Sequence, residues 1–282
     1  TNVIVTTNVN VKRDRQMRKG IVLSVLFLSV FGMAVAGQTA TGNAPQITEE
    51  NKLGLTLDFT YTSKWLSKGV AAYGSQGGMF ATLDFDFYGT GFGVKVTHRN
   101  ALSSGFVDSQ RFDYRPYYKG SLFEDQPYAM NYNLSVGYEH YYGRSSTQAP
   151  TTYEWILGCA WPQLLGNNLV PRYVVHYEHP AHDATYISGW VHRFILDYNI
   201  DVAEMPNPVK FSSEIAYYDG LGSRTKDADW MYTTFGLSTS FKVCDSVLMV
   251  PGLYYQHSMD ESLNPGRKHD IVYTMLSMKY AF

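Results

Sequence analysis

From Leu53 onward, apolar and polar residues alternate with a period of two. Leu53, Leu55, Leu57, Phe59 and Tyr61 are interleaved with Gly54, Thr56, Asp58, Thr60 and Thr62. Met79, Ala81, Leu83, Phe85 and Phe87 alternate with Phe80, Thr82, Asp84, Asp86 and Tyr88, and Phe92, Val94 and Val96 with Gly93, Lys95 and Thr97. Successive side chains of a strand point to opposite faces, so each run predicts a strand with one apolar face. Further runs lie at 111–119, 129–142, 152–161, 169–178, 186–200, 209–218, 230–243, 247–258 and 270–282.

The connections carry a second pattern. Tyr88-Gly89-Thr90-Gly91 and Cys244-Asp245-Ser246 read as tight turns, and Pro162 to Asn168 and Asp201 to Pro208 are compact and rich in turn formers. Between them fall longer polar stretches: Lys64–Gly78, Ala101–Gln110, Gly143–Thr151, Asp219–Asp229 and Met259–His269. Segment 120–128 is long for a turn and 179–185 short for a loop, but the alternation holds otherwise. An all-β, up-and-down antiparallel transmembrane barrel of about twelve strands has short turns at one end and longer loops at the other. Lys64–Gly78 is then the first outer loop.

The face opposite the apolar one holds Asp58, Asp84, Asp86, Lys95, Arg99, Arg111, Asp113, Arg115, Glu139, Glu154, Arg172, Glu178, Arg193, Asp197, Glu214 and Lys242. That face is either a wet lumen or the exterior of a soluble sandwich or lipocalin-like barrel. The two ends of the chain favour the lumen. Residues 17–36 read as a signal peptide: Arg18 and Lys19, an apolar run from Ile21 to Val35, and Ala34-Val35-Ala36 as the cleavage site. Met17 is the expected start, and residues 1–16 an upstream extension. Residues 37–52, without apolar period, form a flexible periplasmic lead-in, and 53–282 the barrel. At the other end Val272, Thr274, Leu276, Met278, Tyr280 and Phe282 share one face. This ladder resembles the C-terminal signature of bacterial outer-membrane proteins. The resemblance implies that the barrel-assembly machinery reads Leu276, Met278, Tyr280 and Phe282, and that lipid of the outer membrane surrounds the wall.

Composition agrees. Aromatics are 15% of the 282 residues, with 23 Tyr, and charged residues 17%, a balance suited to aromatic girdles around a polar interior. The net charge of -2 gives no footprint for nucleic acid. Cys159 reads as a small wall residue and Cys244 as a turn residue; two cysteines make no disulfide framework and match no zinc spacing.

Ser63-Lys64-Trp65-Leu66-Ser67-Lys68-Gly69, followed by Gln76-Gly77-Gly78, resembles the hallmark of an uncharacterised proteobacterial outer-membrane family. That family shows Ser-x-Tyr-x-x-Arg-Gly after the first strand and Gln-Gly-Gly opening the second; here Trp65 replaces the Tyr and Lys68 the Arg. The resemblance implies a barrel and no particular substrate. In mechanical terms Trp65 is expected to anchor at the membrane interface, with Lys68 and Gly69 shaping the loop. The other reading of Ser63, Trp65, Lys68 and Gly69 is a ligand gate.

Candidate chemistry is sparse. Outer-membrane hydrolases pair His and Ser on one strand face, but no histidine here is followed by Ser two positions on, and His257-Ser258 point to opposite faces. His176-Tyr177-Glu178-His179-Pro180-Ala181-His182-Asp183 is the densest set of potential ligands, yet matches no metal spacing and reads as a polar strand end and turn. No enzyme activity, cofactor or metal is expected. The lumen charges lead instead. Lys95, Arg99, Arg111, Arg115 and Lys119 form a basic band on the third and fourth strands, and Asp58, Asp84 and Asp86 face it from the first two. A field between basic and acidic walls sorts small hydrophilic solutes in a passive, porin-like channel. If the charges pair and fill the lumen, the barrel is instead closed and acts, as a structural or adhesive protein, through its outer loops.

Overall fold

The computed structural model describes residues 53–282 except 105–109, 143–150, 167, 182–187, 204, 206, 222–227, 262 and 265–268. The expected signal peptide and lead-in, and His182 and Asp183 of the histidine-rich stretch, lie outside the described residues. In chain order the strands are β1 (Gly54–Thr62), β2 (Leu66–Ser67), β3 (Val70–Ala71), β4 (Gly78–Asp86), β5 (Phe92–Ala101), β6 (Gln110–Leu122), β7 (Met130–Tyr141) and β8 (Thr152–Ala160). They continue as β9 (Leu169–Pro180), β10 (Gly189–Ile200), β11 (Val209–Asp219), β12 (Asp229–Ser238), β13 (Phe241–Cys244), β14 (Val247–Ser258) and β15 (Asp270–Ala281).

Twelve of these build one closed wall. From β4 to β12 each pairs antiparallel with the next; β1 pairs with β4 and β15, β15 with β14, and β14 closes the ring on β12. Closure satisfies every strand edge, which a wall surrounded by hydrocarbon requires. β13 is a short extension of the wall, paired only with β14. The expected strand at 230–243 is therefore two, broken at Thr239-Ser240. Lys242, expected on the lumen face, lies on this extension, exposed and ion-paired with Asp245 at 2.7 Å.

The faces sort as the alternation predicts. Phe59, Met79, Trp155, Phe194, Leu253, Val272, Leu276 and Met278 are exposed on the outside. Arg111, Asp113, Glu139, Glu154, His176, Glu178, Arg193 and Asp197 are buried within. That distribution inverts the soluble rule and is stable only where hydrocarbon replaces water around the wall. Aromatic clusters ring both ends: Tyr138, Tyr153, Tyr177 and Trp190 near the long connections, and Phe92, Tyr118, Tyr280 and Phe282 near the short ones. The Phe282 ladder faces outward throughout.

At the short-turn end, the chain reverses between β4 and β5 through Tyr88, Gly89 and Gly91, all at positive φ. Inside the barrel apolar clusters interrupt the polar lining. Ile156, Val174 and Ile195 form one. Another joins Val191, Ala216, Tyr218, Leu221, Met231, Tyr232 and Leu263, with Val70 packed against it.

A charge on the outer face should be far more costly than a loss on the inner one. Leu276→Arg is expected to lower stability by about 2–4 kcal/mol. Ser277→Ala, which removes a hydrogen bond to Asp58, should cost about 1 kcal/mol. Urea unfolding of the protein in lipid vesicles measures both.

Candidate functional site in the first connection

The connection between β1 and β4 does not stand outside the barrel as a loop; it folds into the lumen as the hairpin β2–β3. The departure is built from local hydrogen bonds. Ser63 N–H donates to the Thr274 carbonyl at 2.9 Å, and Thr274 N–H donates to Ser63 Oγ at 2.8 Å, extending the wall by one residue. Thr62 Oγ1, fully buried, donates to the Lys64 carbonyl at 2.6 Å and turns the chain inward.

The pairs Leu66–Ala71 and Ser67–Val70 leave Lys68 and Gly69 as the two turn residues. Their φ values are 48° and 79°. Two consecutive positive φ values are what a two-residue hairpin turn matching strand twist requires. Gly69 suits this position; Lys68 adopts it at a cost for a residue with a Cβ. Gly69 also lies against a ring: a Cβ there would sit 2.3 Å from Tyr232 Cδ1.

The tip is held from several walls. Lys68 Nζ reaches Glu154 Oε1 at 2.8 Å and Glu178 Oε2 at 2.5 Å. The Tyr218 hydroxyl donates to the Lys68 carbonyl. The Gly69 carbonyl accepts from Gln256 Nε2 at 2.8 Å and Asn264 Nδ2 at 3.0 Å, while Asn264 Oδ1 accepts from Ala71 N–H at 2.9 Å. Apolar contacts add to these. Leu66 and Ala71 pack with Ile271, and Tyr73 with Phe80 and Ala101. Trp65 lies 4.5 Å from the Phe80 ring, with the Arg99 guanidinium 4.7 Å from its own centroid. Trp65 is therefore an inward packing residue, not the interfacial anchor expected; its neighbours Leu66 and Ser67 turn away from the wall and carry it with them.

Below the tip runs a network of ion pairs. Arg99 pairs with Asp113 at 2.5 Å, Arg111 with Asp113 at 2.6 Å and with Glu139 at 2.7 Å, and Arg115 with Glu154 at 2.6 Å. His176 Nδ1 lies 3.0 Å from Glu154 Oε1. Burying a lone charge costs several kcal/mol, so this density is tolerable only because each charge meets an opposite one. Gly137 makes room for it, with the Arg115 guanidinium lying 3.1 Å from where a Cβ would be. The space left between hairpin and network is about 20 Å³, bordered by Trp65, Ser67, Lys68, Arg115, Glu154 and His176 among others. That holds about one water molecule.

The short-turn half of the lumen is wetter. Lys95 meets Asp84 at 3.1 Å and Lys119 meets Asp86 at 2.5 Å, all four side chains a quarter or more exposed. Asp58 accepts from Thr60 and Ser277 and has Lys279 at 3.9 Å. Thus Lys95, Arg99, Arg111, Arg115 and Lys119 share one wall with Asp84 and Asp86, and each meets a carboxylate on an adjacent or nearby strand.

His176 and His179 of the histidine-rich stretch point to opposite sides of the wall. His176 is buried inside against Glu154, while His179 packs outside between Tyr153 and Tyr177. Glu178 is taken by Lys68. Cys159 and Cys244 are both free. Tyr232, Gln256 and Asn264, which hold the tip, carry no motif; inward position on alternating strands is the only signal for the first two, and Asn264 lies in a connection where period says nothing.

No protein-family model and no curated protein matches the chain. Similar solved structures include the KdgM porin, at 10% identity and a TM-score of 0.47, over 80% of this chain and 99% of that one. The NanC porin matches at 11% identity and a TM-score of 0.47, over 81% and 98%. An outer-membrane channel from Pseudomonas putida F1 matches at 11% identity and a TM-score of 0.49, over 85% and 99%. The strand pairing above defines the barrel independently of these likenesses.

Gly69→Ala should expel the tip, because its Cβ collides with Tyr232 and the left-handed backbone disfavours it. Chymotryptic cleavage after Trp65 or Tyr73 is expected to rise at least tenfold while the barrel stays folded by its β-sheet circular dichroism.

Proposed function

We propose that the protein is a porin-like passive channel of the bacterial outer membrane for small hydrophilic solutes, and that the β2–β3 hairpin is its closure. The observation that carries this reading is the division of the lumen. One half is polar, two-signed and partly exposed around Lys95, Asp84, Lys119 and Asp86. The other is filled by a hairpin that belongs to a connection, not to the wall, and is held there without a covalent bond. Polar lining along a barrel whose outer face is apolar is the condition for passage of water-soluble molecules.

In this reading the short turns face the periplasm, and the long connections the outside. The basic band of Lys95, Arg99, Arg111, Arg115 and Lys119, with Asp58, Asp84 and Asp86, selects solutes by charge once the hairpin has moved. Ser63, Trp65, Lys68 and Gly69, the residues behind the family resemblance, are then the parts of the closure: the inward turn, its packing residue and the tip. Leu276, Met278, Tyr280 and Phe282 address the chain to the assembly machinery and meet lipid. The complete pairing of charge around the hairpin favours a second reading, a permanently closed barrel that works through its outer loops.

Planar-bilayer recording separates the two. Wild-type protein should give small or infrequent conductance steps. Replacing Leu66–Ala71 by a Gly/Ser segment of equal length should raise the conductance several-fold. A correctly folded replacement variant that stays silent at all voltages and salt concentrations would leave only the closed barrel.

A further inference from the structure

The Lys68 ammonium is the only part of the hairpin that enters the ion-pair network. Around it, among the described residues, the network joins Lys68, Arg99, Arg111 and Arg115 to Asp113, Glu139, Glu154 and Glu178. With His176 neutral, four positive charges balance four negative ones. The three arginines project from β5 and β6 of the wall and stay when the hairpin leaves. Lys68 does not. Its departure takes the ammonium from between two buried carboxylates, Glu154 and Glu178, whose side chains are 3% and 7% exposed, and leaves the network one positive charge poorer. Removing a positive charge from between two adjacent carboxylates is costly, so the open state favours another cation in the same place.

We infer that Glu154, Glu178 and His176 form a binding site for a solute carrying a single primary ammonium group, and that Lys68 occupies it as an intramolecular stand-in. The geometry specifies the ligand. The two carboxylates hold an ammonium at 2.8 and 2.5 Å, at the distances of charge-assisted hydrogen bonds. His176 borders the same cavity and is 3% exposed; its Nδ1 meets Glu154, while its Nε2 has no partner among the described residues. That nitrogen is available to the third ammonium proton or to a polar group of the ligand. Trp65 and Ser67, also at the cavity, move with the hairpin, so the space they vacate is where the body of the solute lies. A compact ammonium offers three donors to this set; a quaternary ammonium offers none, and an alkali ion lacks the alkyl stem that lies along the path of the lysine chain.

The inference rests on the hairpin being a movable closure, but it can be tested by binding, without conductance. Lys68→Ala removes the four atoms that n-propylammonium restores. Titration calorimetry of the full-length variant in detergent should show n-propylammonium binding at least tenfold more tightly than 1-propanol, tetramethylammonium or sodium. The same titration with K68A/E178Q should lose at least tenfold, and wild-type protein should bind the amine far more weakly than K68A. Equal binding of 1-propanol or sodium, or no loss in K68A/E178Q, would overturn the site. A second measurement covers failure of K68A to fold. In the wild-type protein, n-propylammonium in excess should increase chymotryptic cleavage at Trp65 or Tyr73 at least threefold over equal sodium chloride, and absence of that increase would count against competition with Lys68. Amine binding by a protein that never conducts would leave the site standing and remove the channel.

Discussion

Charge inside a narrow closed wall must be neutralised there, because neither lipid nor bulk water can reach it. The alternation that puts Phe59, Leu276 and Met278 against lipid puts Asp, Glu, Lys and Arg at the intervening positions, and closure of β14 on β12 then confronts them across a small space. Asp113, Glu139, Glu154, Glu178 and Glu214 each meet a cation. Glu154 meets three partners, Lys68, Arg115 and His176. The sum is a rigid lattice of charge, expensive to assemble from separate ions and expensive to break at any one of them.

The hairpin follows from that lattice. Glu178 lies on β9 and Glu154 on β8, paired directly across the strands. Two like charges side by side on one face repel. Arg115 pairs with Glu154 from one side. On the next strand, Arg193 pairs with Glu214. The chain supplies Lys68 from the first connection, and bears a positive φ at a residue with a Cβ to do so. Strain at the turn is thus set against neutralisation of a carboxylate pair, and Gly69, pressed on Tyr232, lets the tip come close enough. Apolar residues finish the fit: Val70 packs against the cluster that includes Met231 and Leu263 at one side, and Leu66 against that of Ile271 at the other.

The wall was legible in the sequence because its physics is local. Period two, short turns such as Tyr88–Gly91 and the final aromatic ladder each involve residues near one another in the chain, and they determine which face meets lipid. The hairpin was not, because its causes are distant. Lys68 is fixed by residues more than eighty positions away on β8 and β9 and by Tyr218 on β11, and Gly69 by Gln256 on β14. A polar connection with Trp, Lys and Gly looks the same whether it stands in water or turns into a lumen; the difference lies in a pair of facing carboxylates, Glu154 and Glu178, that strand register alone reveals. The misplacement of Trp65 has the same origin. An amphipathic indole suits a membrane interface and suits a guanidinium equally well, and only the position of Arg99 beneath it decides. Lys242 failed for a different reason: period two ran on through Thr239-Ser240, where the backbone leaves the wall.

The two halves of the lumen therefore have different meanings. In the short-turn half, the charge pairs are made by residues of the wall itself, and those partly in water, such as Lys95–Asp84, can exchange with passing ions at small cost, since exposed pairs contribute about 0–1 kcal/mol. In the long-loop half, one of the cations belongs to a segment that can leave while the rest cannot. Neutrality there is conditional on where the fifteen residues between β1 and β4 lie. A barrier built from wall residues alone would have a fixed height. A barrier whose neutrality depends on a detachable lysine has a height that depends on what else of the same charge is at hand, and that dependence needs no change in the wall at all.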